Sequence, residues 1–169
     1  MDIGNIYFYT ATILDWKHLL KQDKFKVMIL DCIIHLIEKG KVKVYGFVIM
    51  PNHIHLIWEN ISMNGKETPH ASLMKYTAHQ FLENDTELLE QFKVDRYSRK
   101  HQFWQRNALP ILCYDRKILE QKLNYIHLNP LQEHWKLVSD PNDYLYSSCS
   151  FYEKEELRYD WLTHYMDVI

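Results

Sequence analysis

The sequence predicts an α+β domain of ferredoxin-like type, βαββαβ, with a four-stranded antiparallel sheet, helices on one face and a last main helix after the final strand. Three observations lead there. An apolar, β-branched run opens the chain, and two more flank the tripeptide Met50-Pro51-Asn52. Apolar residues recur at helical spacing in Phe25, Ile29, Ile33, Leu36 and Ile37, ahead of Gly40. A further helical pattern lies between Asp115 and Pro130.

In chain order, "IYFYTATIL" (6–14) reads as the first strand and 24–39 as a helix that stops at Gly40. "KVKVYGFVI" is the second strand. "MPN" is too short for anything but a turn, so "HIHLIWEN" returns antiparallel as the third. "SMNGKETPH" (62–70) is an exposed loop, and a second helix covers 71–83. From there to about residue 102 no apolar pattern fixes an element. "QFWQRNALPILCY" holds a fourth strand, broken or ended near Pro110. Asp115 stands at an N-cap position, "RKILEQKLNYIHL" forms the last main helix, and Pro130 ends it. A turn-rich, aromatic tail follows. This strand and helix order describes a ferredoxin-like domain, a topology that hosts many functions and decides none.

With 169 residues, 47% hydrophobic and 14% aromatic, the chain suits a single domain, 1–169, with a core over about 5–135 and a tail over about 136–169. No apolar run is long enough for a bilayer, and the first residues lack the pattern of a signal peptide, so no membrane partner and a cytoplasmic location are expected. Cys32, Cys113 and Cys149 form no CxxC pair and read as reduced packing residues. A formal net charge of −2 gives no global sign of nucleic-acid binding, so any such charge must be local.

His53 and His55 carry the first chemical signal. A strand's period of two puts both on one face, with Cα atoms roughly 6.5–7 Å apart. Imidazoles so placed can converge on one metal ion, provided a third ligand comes from elsewhere. The alternative is two half-buried histidines bonded to neighbours. A histidine-triad hydrolase would need a third His where Ile57 stands.

The second signal is "NYIHLNP". At about 100° per residue, Leu119, Leu123 and Ile126 form one stripe, and Tyr125 and Asn129 lie together at its margin. Tyr125 is thus placed to look into a cleft beside the helix, or else simply packs its ring and wets its hydroxyl. Asn129 offers an oxygen suited to a hard cation, although the residue before a proline is pushed from helical geometry. His127 falls on another face.

Taken together, "MPNHIHLIW" and "YIHLNP", with "YFYTAT", "FWQRN" and "SSCSFY" in order around them, resemble the single-tyrosine HUH transposases, and most nearly their REP-associated branch and small insertion-sequence relatives. The resemblance covers most of the chain. It implies a divalent metal, Mg²⁺ or Mn²⁺, on His53 and His55, with Asn129 completing the shell, and Tyr125 as the nucleophile. The implied activity is nicking and joining of single-stranded or hairpin DNA through a 5′-phosphotyrosine and a free 3′-hydroxyl, by a monomer or a homodimer.

Lys93, Arg96, Arg99, Lys100 and Arg106, interleaved with Tyr97, Phe103 and Trp104, offer phosphate contacts and base-stacking rings, the ingredients of a single-strand groove; an ordinary charged loop with packed rings is the alternative. Two rival functions stay open: a DNA-binding protein of the same fold without catalysis, and a metal-dependent phosphoesterase that uses water.

Overall fold

The computed structural model describes residues 1–84, 90–96, 99–106, 108, 110–154 and 157–168. The three long strands form where apolar and β-branched residues concentrate: β1 (Ile6–Thr12), β2 (Val42–Ile49) and β3 (His53–Asn60). β3 is the centre of the sheet. It pairs antiparallel with β1 from Ile6↔Glu59 to Thr12↔His53, and with β2 from Val42↔Asn60 to Ile49↔Ile54.

Between Phe92 and the sheet's last strand lies a small ribbon, β4 (Lys93–Arg96) and β5 (Arg99–His101), where the sequence pattern fixes nothing. The fourth strand of the main sheet, β6 (Ile111–Leu112), is only two residues long. It starts just after Pro110 instead of ending there, since proline has no N–H to give to a ladder. The sheet order β2-β3-β1-β6, antiparallel at every pairing, is the ferredoxin-like arrangement.

Helices α1 (Asp23–Glu38) and α2 (Pro69–Asn84) share one face of this sheet, packed on Tyr7, Tyr9, Leu56 and Trp58. α2 begins at Pro69, inside the stretch read as loop, because proline fits the first helical turn. The expectation that the helices lie on one face holds for these two and not for α3 (Arg116–Leu128). Its stripe of Leu119, Leu123 and Ile126 covers the opposite face with Phe8, Val48 and Ile57. That second face is itself apolar along much of β1 and β3, so leaving it in water would expose a second core.

One position sets how closely α3 approaches. The pairing of β2 shifts between Val44 and Gly46, a bulge that puts Gly46 opposite Ile57 beneath the helix. A β-carbon on Gly46 would lie 2.5 Å from Leu123 Cδ2 and 3.2 Å from Ile126 Cδ1. Any other residue type there would require the Leu123 side chain to shift.

The C-terminal segment runs along the free edge of β2. Ser147 bridges Val48, the Ile49 N–H donates to the Tyr146 carbonyl (2.9 Å), and the Ser148 N–H donates to that of Phe47 (3.0 Å). The Ser148 hydroxyl meets His127 Nε2 at 2.9 Å, tying α3 to this edge. A short helix, α4 (Cys149–Glu153), follows. Cys32, Cys113 and Cys149 are buried and unpaired. Among the described residues no helix is long and apolar enough to cross a membrane.

Gly46→Val should therefore destabilise the fold by about 1–3 kcal/mol through overpacking against Leu123. Chemical denaturation checks this. Adding Leu123→Ala should cost less in the Gly46→Val background than in the wild type, because it removes the clashing atoms.

Candidate active site

α3 opens as the sequence predicts, with the Asp115 carboxylate accepting from the Ile118 N–H at 2.8 Å. Once Leu119, Leu123 and Ile126 face the sheet, Tyr125 falls at the margin with 45% of its surface exposed. Asn129 keeps helical geometry (φ −57°, ψ −43°) although Pro130 follows, because the chain runs directly into a 3₁₀ turn, Asn129–Leu131, that accepts the proline's fixed φ. Asn129 is consequently buried, at 3% exposure, and points the polar end of α3 into the cleft that it lines.

That cleft, of about 580 Å³, brings the predicted residues together: His53, His55, Tyr125 and Asn129 all line it. The two imidazoles are 4.7 Å apart between ring centroids, and the Tyr125 ring stands edge-on to His55 at 5.4 Å. Phe8 stacks on His55 at 5.1 Å and meets the edge of Tyr125 at 6.0 Å, so one ring holds both in register. Nucleophile candidate and histidines belong to one chain and one face. His127, buried on the far side of the helix, serves the Ser148 contact instead.

Each histidine has one nitrogen committed. Asn52 Nδ2 donates to the Trp16 carbonyl at 3.2 Å, which turns Asn52 Oδ1 toward His53 Nδ1 at 2.6 Å. His53 therefore carries its proton on Nδ1 and keeps a lone pair on Nε2. His55 Nδ1 meets the Thr10 hydroxyl at 2.7 Å, while its Nε2 is buried without a hydrogen-bond partner. An orphaned imidazole nitrogen is costly, and a metal ion is a group that would satisfy it. Among the described residues no three His, Cys, Asp or Glu side chains gather at one point. The donor set is thus two imidazoles with an amide oxygen beside them, which fits a divalent ion that keeps positions open for phosphate or water.

Burial, reinforced by His134, lowers His53 to about 4. Burial, then His53 and Lys122, lower His55 to about 3. Both rings are neutral near pH 7, the form that binds metals.

Of the basic residues expected to bind DNA, Lys93, Lys100 and Arg106 are not in this cleft. Lys93 pairs with Glu90 at 2.5 Å, Lys100 is exposed, and Arg106 lines a separate pocket with Tyr9 and His70. Tyr97 and the side chains of Arg96 and Arg99 lie outside the described residues. Phe103 and Trp104 are core residues of the α1–α2 face, at 2% and 7% exposure, and so are unavailable for stacking. The cation that does line the cleft is Lys122, one turn before Tyr125, with Nζ 5.0 Å from the centre of the Phe8 ring. The helical wheel that placed Tyr125 would have found it, being three residues earlier. Thr10 and Asn52 also escaped notice. Asn52 adjoins the histidine motif, but Thr10 enters only through the β1–β3 register.

The depressed histidines give stability a pH dependence. An unfolded imidazole titrates near 6.5, so below that pH the unfolded chain binds protons that folded His53, His55 and His127 (also lowered to about 4, by burial) refuse. The denaturation midpoint should fall steadily from about pH 6.5 to about pH 4. His127→Gln should flatten part of that slope if it folds, and divalent metal at neutral pH should raise the midpoint.

No family model matches the chain. It is 27% identical over 153 residues to a Haemophilus influenzae protein named "Putative REP-associated tyrosine transposase", covering 86% of this chain and 80% of that one. Among solved structures it superposes on a REP-associated tyrosine transposase bound to a REP hairpin, with a TM-score of 0.65, 16% identity, and coverage of 96% of this chain and 84% of the other. The likeness in sequence runs through most of both proteins, and the likeness in fold does too. The chain is thus similar in sequence to one REP-associated tyrosine transposase and in fold to another.

Proposed function

We propose that this protein is a DNA transposase-type enzyme that nicks and rejoins single-stranded or hairpin DNA through Tyr125. The observation that carries this reading is the Tyr125 ring at 5.4 Å from His55, in a cleft where His55 Nε2 is buried and unpartnered. A relative whose structure holds a REP hairpin supports DNA as the substrate.

The Tyr125 oxygen attacks a backbone phosphorus and displaces the 3′ oxygen. One P–O bond forms as another breaks, the phenol's proton is lost to solvent, and the departing oxygen is protonated. The products are a 5′-phosphotyrosyl diester and a free 3′-hydroxyl. Because one phosphodiester replaces another, the reverse attack by a 3′-hydroxyl rejoins a strand without external energy. Among the described residues no side chain hydrogen-bonds the Tyr125 hydroxyl, so it is available to substrate. His53, His55 and Asn129 would hold Mg²⁺ or Mn²⁺, which when bound neutralises phosphate charge and orients the bond to be broken. Mn²⁺ suits two imidazoles better than Mg²⁺ does. Lys122 contributes a positive charge next to the phosphate, Asn52 holds His53 in the tautomer that leaves Nε2 bare, and Thr10 anchors the His55 ring through Nδ1.

The test is a labelled hairpin oligonucleotide with unpaired flanks, incubated with Mn²⁺. Wild type should form a covalent adduct that EDTA prevents, and Tyr125→Phe should bind the DNA within a few-fold of wild type yet form none. Cleavage that survives Tyr125→Phe would instead make water the nucleophile. Binding without cleavage under every metal would leave a DNA-binding protein. Asn52→Ala should weaken metal binding by about 10–100-fold, read by calorimetry. Lys122→Gln should slow adduct formation by about 100-fold or more with little change in metal affinity.

A further inference from the structure

Beside the histidines stands a residue with no role in the chemistry just described. Trp16 lines the cleft with 58% of its surface in water, an unusual position for an indole. Its backbone is also unusual. Asp15 (φ 55°) and Trp16 (φ 57°) are consecutive non-glycine residues in the left-handed region. Such strain persists only where surrounding contacts impose it.

Those contacts are identifiable. The Trp16 N–H donates to the Ile13 carbonyl at 3.0 Å, and the Trp16 carbonyl accepts from Asn52 Nδ2 at 3.2 Å. On the next residue, Lys17 Nζ donates to the Gln91 carbonyl at 2.6 Å. The Asn52 amide that holds Trp16 is the same one that orients His53. The indole stands edge-on to His53, with centroids 6.4 Å apart. Trp135 lies on the same histidine at 6.1 Å, but its ring is partly buried and also contacts His18 and His134. Trp16 is therefore the more open of the two indoles and is built into the frame of the histidine site.

We propose that Trp16 is the stacking platform for one unpaired nucleobase of the strand whose phosphate lies at His53 and His55. The proposal rests on the reading of this cleft as a DNA site. A flat, rigid, largely exposed ring next to a phosphate site suits a base, because every base offers a π-face and stacking tolerates sequence. Held from its backbone by Asn52, the ring would fix the distance between that base and the phosphate.

The test measures binding, so it does not depend on cleavage. Hairpin oligonucleotides carry a single abasic site stepped through the unpaired flanks, and each is titrated against Tyr125→Phe protein with and without Trp16→Ala. Trp16→Ala should weaken the intact oligonucleotide by roughly 5- to 100-fold, as loss of one base–aromatic stack does, and Trp16→Phe should recover most of it. One abasic position should give the same loss alone and little more in the Trp16→Ala background. The difference fluorescence between wild type and Trp16→Phe should be quenched by the intact oligonucleotide and not by that abasic one, which needs no alanine variant to fold. An affinity of the Trp16→Ala protein for the intact oligonucleotide equal to that of its parent, or an abasic penalty undiminished by Trp16→Ala, overturns the proposal. These outcomes differ from failure of the functional reading, which shows as absence of the Tyr125 adduct in wild-type protein.

Discussion

The cleft exists because α3 lies close against the sheet, and the absent side chain at Gly46 sets that closeness. With Leu123 Cδ2 2.5 Å from where a β-carbon would stand, the helix settles into a notch that the bulge in β2 opens. Phe8 then spans the remaining gap and touches both His55 and Tyr125. Lifting the helix would separate the tyrosine from the histidines while leaving each element intact. His127 and Ser148 hold the far side of α3 down, which gives the C-terminal segment a part in the geometry of the site.

The electrostatics are equally local. The net charge of −2 spreads over the chain, yet Lys122 lines a cleft whose imidazoles are kept neutral by burial. On the proposed reading, a phosphate there would meet the Lys122 cation and a divalent ion held by the two histidines. On that reading, the positive charge offered to DNA is local to this cleft, and a broad basic surface is not required. Asn52 joins this centre to the exposed indole of Trp16 through its two amide ends.

Much of this was legible in the residues, for physical reasons. Alternation along a strand forces His53 and His55 to one face whatever the surroundings, and the helical period puts Tyr125 at the margin of an apolar stripe. What local periodicity cannot say is which face of the sheet a helix will choose. α3 took the face opposite α1 and α2 because Phe8, Val48 and Ile57 made it apolar too, a property of three strands paired in register. The ribbon at 93–101 was opaque because its residues are charged and its anchors, Phe92 and Phe103, lie outside its strands. The same anchoring turned Phe103 and Trp104 from candidate stacking rings into core. Thr10 and Trp16 depend on long-range register and on a left-handed turn, neither of which leaves a mark on composition.

The central claim is that Tyr125 and the histidine pair form one reaction centre on DNA. Its most direct measurement is mass spectrometric mapping of protein incubated with a hairpin oligonucleotide and Mn²⁺. The expected result is a nucleotide remnant on the peptide containing Tyr125 in wild-type protein, and none on any peptide of His55→Ala. A remnant on another residue, cleavage with no remnant, or an adduct of undiminished yield in His55→Ala would contradict it.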